Sequence, residues 1–101
     1  MNLTHIDHVA LESKNISESV AWYSKHFDCK IKHQDSTWAL LEFSNISIAL
    51  VTPGDHPPHI AVVDEDVKNH PEAKIHRDGI SYIYDTDPDL NAIEKIDRKP
   101  F

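Results

Sequence analysis

Residues 5–12, HIDHVALE, alternate in polarity. Ile6, His8 and Ala10 fall on one face, and Asp7, Val9 and Leu11 on the other, the period of two that predicts a strand. The spacing then changes. Ile16, Val20, Tyr23 and Phe27 recur at i, i+4, i+7 and i+11, which predicts a helix with one apolar stripe. Asn15, followed three residues later by Glu18, resembles a capping box and marks the helix start. CKIKHQ predicts a short strand. TWALLEF and ISIALVT predict two more, joined by a hairpin turn at Ser44-Asn45, and Pro53-Gly54 closes this half.

The second half begins with HPPHIAVV, where the two prolines leave HIAVV as the strand. The polar stretch DEDVKNHPEAKIHRDG follows. Pro71 forbids a long helix there, so one or two turns around residues 66–70 are the most it supports. ISYIYDT predicts a strand, DPDLN a turn and AIEKI the last strand. In that last strand Ala92, Glu94 and Ile96 share a face. A carboxylate between two apolar neighbours is either exposed at a sheet edge or buried with a partner, because an unpaired buried charge is very costly. The segment alone favours the exposed edge.

The order is thus strand, helix, strand, strand, strand, twice over, with the second helix cut short. HVAL from His8 and HIAV from His59 stand 59 − 8 = 51 positions apart, an internal repeat. The expected fold class is α+β: two βαβββ modules, about 1–53 and 54–101, in one domain, with curved mixed sheets facing each other around a cleft.

Composition narrows the function. The chain has 101 residues and a net charge of −7 with histidine neutral, which argues against nucleic acid and anionic membrane surfaces as partners. Cys29 is the only cysteine, so no intrachain disulfide is expected and a reducing, cytoplasmic setting is the natural reading. MNLTHIDHVAL lacks the pattern of a signal peptide, and no apolar run approaches a bilayer-spanning length. The only glycines are Gly54 and Gly79, so no Gly-rich phosphate loop exists. Eight histidines is a high number for this length, and metal ligation becomes a question of spacing.

HIDHVALESKNISESVAWYSKHF, HIAVV and GISYIYDTDPDLNAIEKI together resemble the vicinal oxygen chelate superfamily, the group of glyoxalase I, bleomycin- and fosfomycin-resistance proteins, methylmalonyl-CoA epimerase and extradiol dioxygenases. The resemblance covers most of the chain outside residues 64–78. It implies a metal held by a histidine on the first strand of each module and a carboxylate on the last strand of the second, here His8, His59 and Glu94. The cofactor it implies is one divalent ion, with iron, manganese, zinc and nickel all open. Two imidazoles and a carboxylate leave coordination positions for a substrate.

The sequence also departs from the family. Members with four ligands carry another on the last strand of the first module. Counting from Asn45 as from Asn91 puts Ile48 opposite Glu94 in the repeat, with Ala49 and Leu50 beside it, and none of these ligates. The glycine usual after DPD is Leu90, so Asn91 is expected to take the positive φ or the turn to differ.

The implied function is a small metal-dependent enzyme, a lyase, isomerase or dioxygenase, whose substrate chelates the metal through adjacent oxygens. The alternative is a metal-free protein that sequesters a ligand, as in the bleomycin-resistance branch. Trp38, Tyr82 and Tyr84 are the aromatic candidates for substrate contact, with core packing as the competing reading of each. No further catalytic residue is assigned. His5, His26, His33, His70 and His76 read as surface groups, and His56 as a competing ligand. Two-module relatives commonly form homodimers, some with sites shared between chains, and a homodimer is the expected assembly.

Overall fold

A computed structural model describes residues 3–54, 56–76 and 79–97. The chain forms two compact units, one of residues His8–Pro58 and one of the residues up to Asp7 together with those from His59 onward. Their strand and turn order follows the repeat read from the sequence.

The first unit holds β1 (Ile6–Glu12, of which the unit takes the part from His8), α1 (Ile16–His26), β2 (Lys30–Gln34), β3 (Trp38–Glu42) and β4 (Ser47–Val51). The sheet order is β2-β3-β4-β1, with β1 parallel to β4 and the other pairs antiparallel. The helix starts where the cap predicts: the Glu18 N–H donates to Asn15 Oδ1 at 3.0 Å. Its stripe buries Ile16 and Val20 against Ala39, Leu41 and Leu50, with Tyr23, Cys29, Phe43 and Ile48 packed around them. That cluster takes one face of the sheet. Register then assigns His8, Trp38 and Ala49 to the opposite face.

The Asp35 carboxylate ties the β2–β3 connection. It accepts from the Thr37 and Trp38 N–H groups, the Thr37 hydroxyl and His33. The Thr37 backbone bond, then the other donors, hold this exposed carboxyl well below the usual carboxylate range.

The second unit repeats the plan with β5 (His59–Val63), a single 3-10 turn (Val67–Asn69) in the helix position, β6 (Lys74–Ile75), β7 (Ser81–Thr86) and β8 (Ala92–Ile96). Its order is β5-β8-β7-β6. β5 and β8 are parallel, and β7 is antiparallel to both β8 and β6. Where α1 covers the first sheet, the 3-10 turn with buried Val67 is what covers this one among the described residues. A cavity of about 360 Å³ remains there, lined by Ile83, Lys95 and the carboxylates of Asp64, Asp66, Glu72 and Asp85. Pro71 is the reason, since it follows the turn too closely for a second turn of helix. Among the described residues no helix is long and apolar enough to cross a membrane.

Two local expectations are corrected here. β8 is not an edge strand: it lies between β5 and β7, and Glu94 is 2 % exposed. The turn before it does not pass its positive φ to Asn91. Leu90 itself adopts φ 68°, because Asp87 closes the loop around it. The Asp87 carboxylate accepts from the Asp89 and Asn91 N–H groups and from the Asn91 side chain, while its carbonyl accepts from the Leu90 N–H. The Asn91 bonds lower the Asp87 carboxyl. Leu90 has nothing to gain from this conformation, being 78 % exposed.

Leu90→Gly is therefore expected to stabilise the protein by roughly 1 kcal/mol, the scale of the left-handed penalty for an L-residue. Urea unfolding of both proteins measures it. An unchanged or lower midpoint contradicts the strain at Leu90.

Candidate metal centre

The site is built on the second unit's sheet. In the β5–β8 ladder His59 pairs with Ala92 and Ala61 with Glu94; across β7, Tyr84 pairs with Glu94 and Tyr82 with Ile96. Paired side chains share a face, so one face carries His59, Ala61, Glu94, Tyr84 and Tyr82. Ala61 is fully buried, and its small side chain leaves room beside the carboxylate.

His59 and Glu94 are both buried. His59 Nε2 approaches Glu94 Oε1 at 3.3 Å. His76 Nε2 meets the other oxygen, Oε2, at 2.7 Å. Burial alone raises the Glu94 carboxyl, but the hydrogen bonds from His59 and His76, and then their charges, outweigh it and hold the group down to about 2. The carboxylate is ionised and paired inside the sheet, as a buried charge must be. These two imidazoles are the partners that a buried carboxylate on the AIEKI strand requires.

Tyr84 stands behind His59. Its hydroxyl lies 3.5 Å from His59 Nδ1, with the rings edge to face at 5.2 Å. Burial, then the negative charges of Glu94 and Tyr82, push its phenol above the ordinary range, so it stays protonated. With Nε2 directed at Glu94, Nδ1 is the nitrogen Tyr84 addresses. A partner on the second nitrogen is the usual support of a metal-ligating histidine.

Of the residues singled out in the sequence, this unit brings together His59, Glu94, Tyr82 and Tyr84. Tyr82 stacks on His76 with ring centroids 3.6 Å apart and planes 10° from parallel. His76 is a correction: its polar stretch predicts a surface group, yet it bonds the buried carboxylate directly. The signal was present. Lys74 pairs with Tyr82, and His76 stands two residues on, so the strand alternation puts it on the same face. Two-residue β6 was lost inside a polar stretch.

His8 and Trp38 belong to the first unit. His8 is half-buried on β1 in register with Ser47. Trp38 stacks on His33 at 4.1 Å. The repeat count is also corrected. Two residues after His8, Ala10 pairs with Ala49; two after His59, Ala61 pairs with Glu94. The counterpart of Glu94 is Ala49 rather than Ile48, because the β3–β4 and β7–β8 turns differ in their stagger. Neither residue ligates, so no carboxylate occupies that position.

Imidazole nitrogen beside carboxylate oxygen is a donor set that suits iron, manganese, zinc or nickel. The residues present thus fit a divalent ion, with His59 and Glu94 as donors.

The family model for the glyoxalase/bleomycin resistance protein/dioxygenase superfamily matches residues 5–99. Among curated proteins none matches the sequence. Solved structures that resemble the chain include methylmalonyl-CoA epimerase from Mycobacterium tuberculosis, with TM-score 0.73 and 18% identity, covering 99% of this chain and 94% of that one. A variant of the Streptomyces coelicolor epimerase has TM-score 0.71 and 16% identity, covering 94% and 97%. A superfamily member from Vibrio splendidus 12B01 has TM-score 0.69 and 10% identity, covering 93% and 98%. At these identities the likeness is one of fold.

The lowered Glu94 carboxyl predicts a pH dependence. A depressed carboxyl adds stability above its unfolded value, near 4.5, and that stability is lost as pH falls toward about 2. In metal-free buffer, wild type is expected to exceed Glu94→Gln in stability at pH 5, and the gap to close as pH falls through that window. Urea titrations at several pH values give the difference. A gap independent of pH contradicts an ionised, paired Glu94.

Proposed function

The chain belongs to the glyoxalase/bleomycin resistance protein/dioxygenase superfamily, and on that premise we propose that it is a small metal-dependent enzyme. Its substrate chelates one divalent cation through adjacent oxygens. The observation that carries this reading is Glu94 buried beside His59, a carboxylate and an imidazole 3.3 Å apart inside a sheet.

In this proposal His8 supplies the third donor. It opens the β1–β4 ladder as His59 opens the β5–β8 ladder, each two residues before a buried alanine. The equivalence of position supports the equivalence of role. Two imidazoles and one carboxylate leave a divalent ion net positive charge and open positions, so it can take two substrate oxygens and stabilise charge developing on them. Trp38, Tyr82 and Tyr84 are the aromatic side chains proposed to meet the substrate. The protonated Tyr84 hydroxyl is suited to donate a hydrogen bond.

The Streptomyces epimerase was solved in complex with 2-nitronate-propionyl-CoA, which favours a substrate carrying a carbonyl-type chelating group. Ala49 stands where a fourth ligand would be, which separates this chain from four-ligand relatives. A homodimer is the assembly we propose.

A second reading has one observation in its favour. His59 and His76 already supply a partner to each Glu94 oxygen without any metal, so a metal-free ligand-binding protein of the bleomycin-resistance kind also satisfies the buried carboxylate. The net charge of −7 suits a cationic ligand for it.

Untagged wild-type protein is expected to carry close to one equivalent of divalent metal by elemental analysis, and His59→Ala to lose it while remaining folded by circular dichroism. Wild type that takes up no metal, yet binds an aromatic cation, establishes the second reading instead.

A further inference from the structure

We infer that His76 is a positioning residue for Glu94: it occupies one carboxylate oxygen and leaves the other as the single oxygen offered to a bound cation. The inference rests on the metal-centre reading above and assigns a residue to it that neither the repeat nor the family resemblance supplies.

The two imidazoles divide the carboxylate between them. His59 lies at Oε1 and His76 at Oε2. A carboxylate oxygen only accepts, so the His76 nitrogen at 2.7 Å carries the proton. At 2.7 Å His76 is the closer of the two imidazoles, His59 standing 3.3 Å from Oε1, and this shorter contact sets it apart as the hydrogen-bond partner of the carboxylate. With Oε2 committed, Glu94 can turn only Oε1 to an ion.

His76 is built to hold still. Its own N–H donates to the Ile80 carbonyl at 2.9 Å, and its carbonyl accepts from the Gly79 N–H at 2.9 Å. Gly79 closes this loop at φ +85°, which glycine adopts at little cost. The ring lies flat on Tyr82. Backbone loop, stacked ring and hydrogen bond fix Nε2 before any ligand arrives. At 30 % side-chain exposure His76 also stands between buried Glu94 and solvent. Partners of this kind typically carry 10–100-fold in metal affinity.

The test is Zn²⁺ affinity of the chelator-stripped, untagged full chain, measured by competition with a chromophoric chelator. His76→Ala is expected to weaken binding about 10–100-fold. His76→Gln, whose amide N–H can donate to the same oxygen, is expected to recover most of the loss. His59→Ala is expected to abolish binding. Recovery in His76→Gln separates positioning from a general folding defect, and circular dichroism of each variant accompanies it. Wild-type affinity in His76→Ala overturns the inference alone, leaving the metal centre standing. So does X-ray absorption of the Zn²⁺ form in which the imidazole count falls by one in His76→Ala, since His76 is then a ligand. Failure of wild type to take up Zn²⁺ overturns this inference together with the reading beneath it.

Discussion

A carboxylate ionised inside a β-sheet is the constraint on which the second unit turns. Glu94 sits on an interior strand with 2 % exposure, where a lone charge would cost many kcal/mol. Everything around it answers that cost. Ala61 on one flank is small enough to admit the head group, and Tyr84 on the other places a hydroxyl behind His59. His59 and His76 then supply one donor to each oxygen. An apolar residue at position 94 would satisfy the fold more simply. Keeping a charge there, with this much support, is the kind of local expense that sheet proteins concentrate at functional sites.

The same register explains why the two modules are equal in plan and unequal in chemistry. Each begins with a histidine in the first pair of a parallel ladder and an alanine two residues on. The partner of that alanine is Ala49 in one unit and Glu94 in the other. One side chain at one ladder position separates a unit with an alanine there from a unit that buries a carboxylate. The helices diverge as well. α1 buries an apolar stripe on the far face of its sheet, whereas a single 3-10 turn leaves a hollow there in the second unit. Strand alternation keeps the side chains of Ile83 and Lys95 toward the hollow and that of Glu94 on the other face, while Tyr84 also borders the hollow.

Much of this was legible in the chain itself. Periodicity and the Asn15 cap placed α1, the alternation of HIDHVALE and AIEKI placed their strands, and the repeat tied His59 to His8. The places where it was not legible have identifiable causes. The edge or interior position of β8 is a property of strand order, which periodicity does not encode, so Glu94 read alone looked exposed. The stagger of two hairpins shifts a repeat by one residue, which moved the counterpart of Glu94 from Ile48 to Ala49. Leu90 takes a glycine's conformation because Asp87 and Asn91 close the turn around it, local side-chain bonds overriding the residue's own preference. β6 spans two residues, too short to show a period, and His76 was lost with it.

His76 matters most because of how the protons are arranged. With Glu94 ionised, each imidazole facing it must present an N–H rather than a lone pair. For His76 that state would suit a metal held as proposed, since Oε2 could stay bonded while Oε1 faced the ion. Were His59 to ligate as proposed, the nitrogen facing Oε1 would have to offer a lone pair, with its proton lost or carried on Nδ1, where Tyr84 stands. A divalent ion held there would therefore require a change in the proton arrangement of His59 and none in that of His76. The two imidazoles look alike in a list of contacts, but they differ in what they must give up. That difference follows from which carboxylate oxygen each one faces.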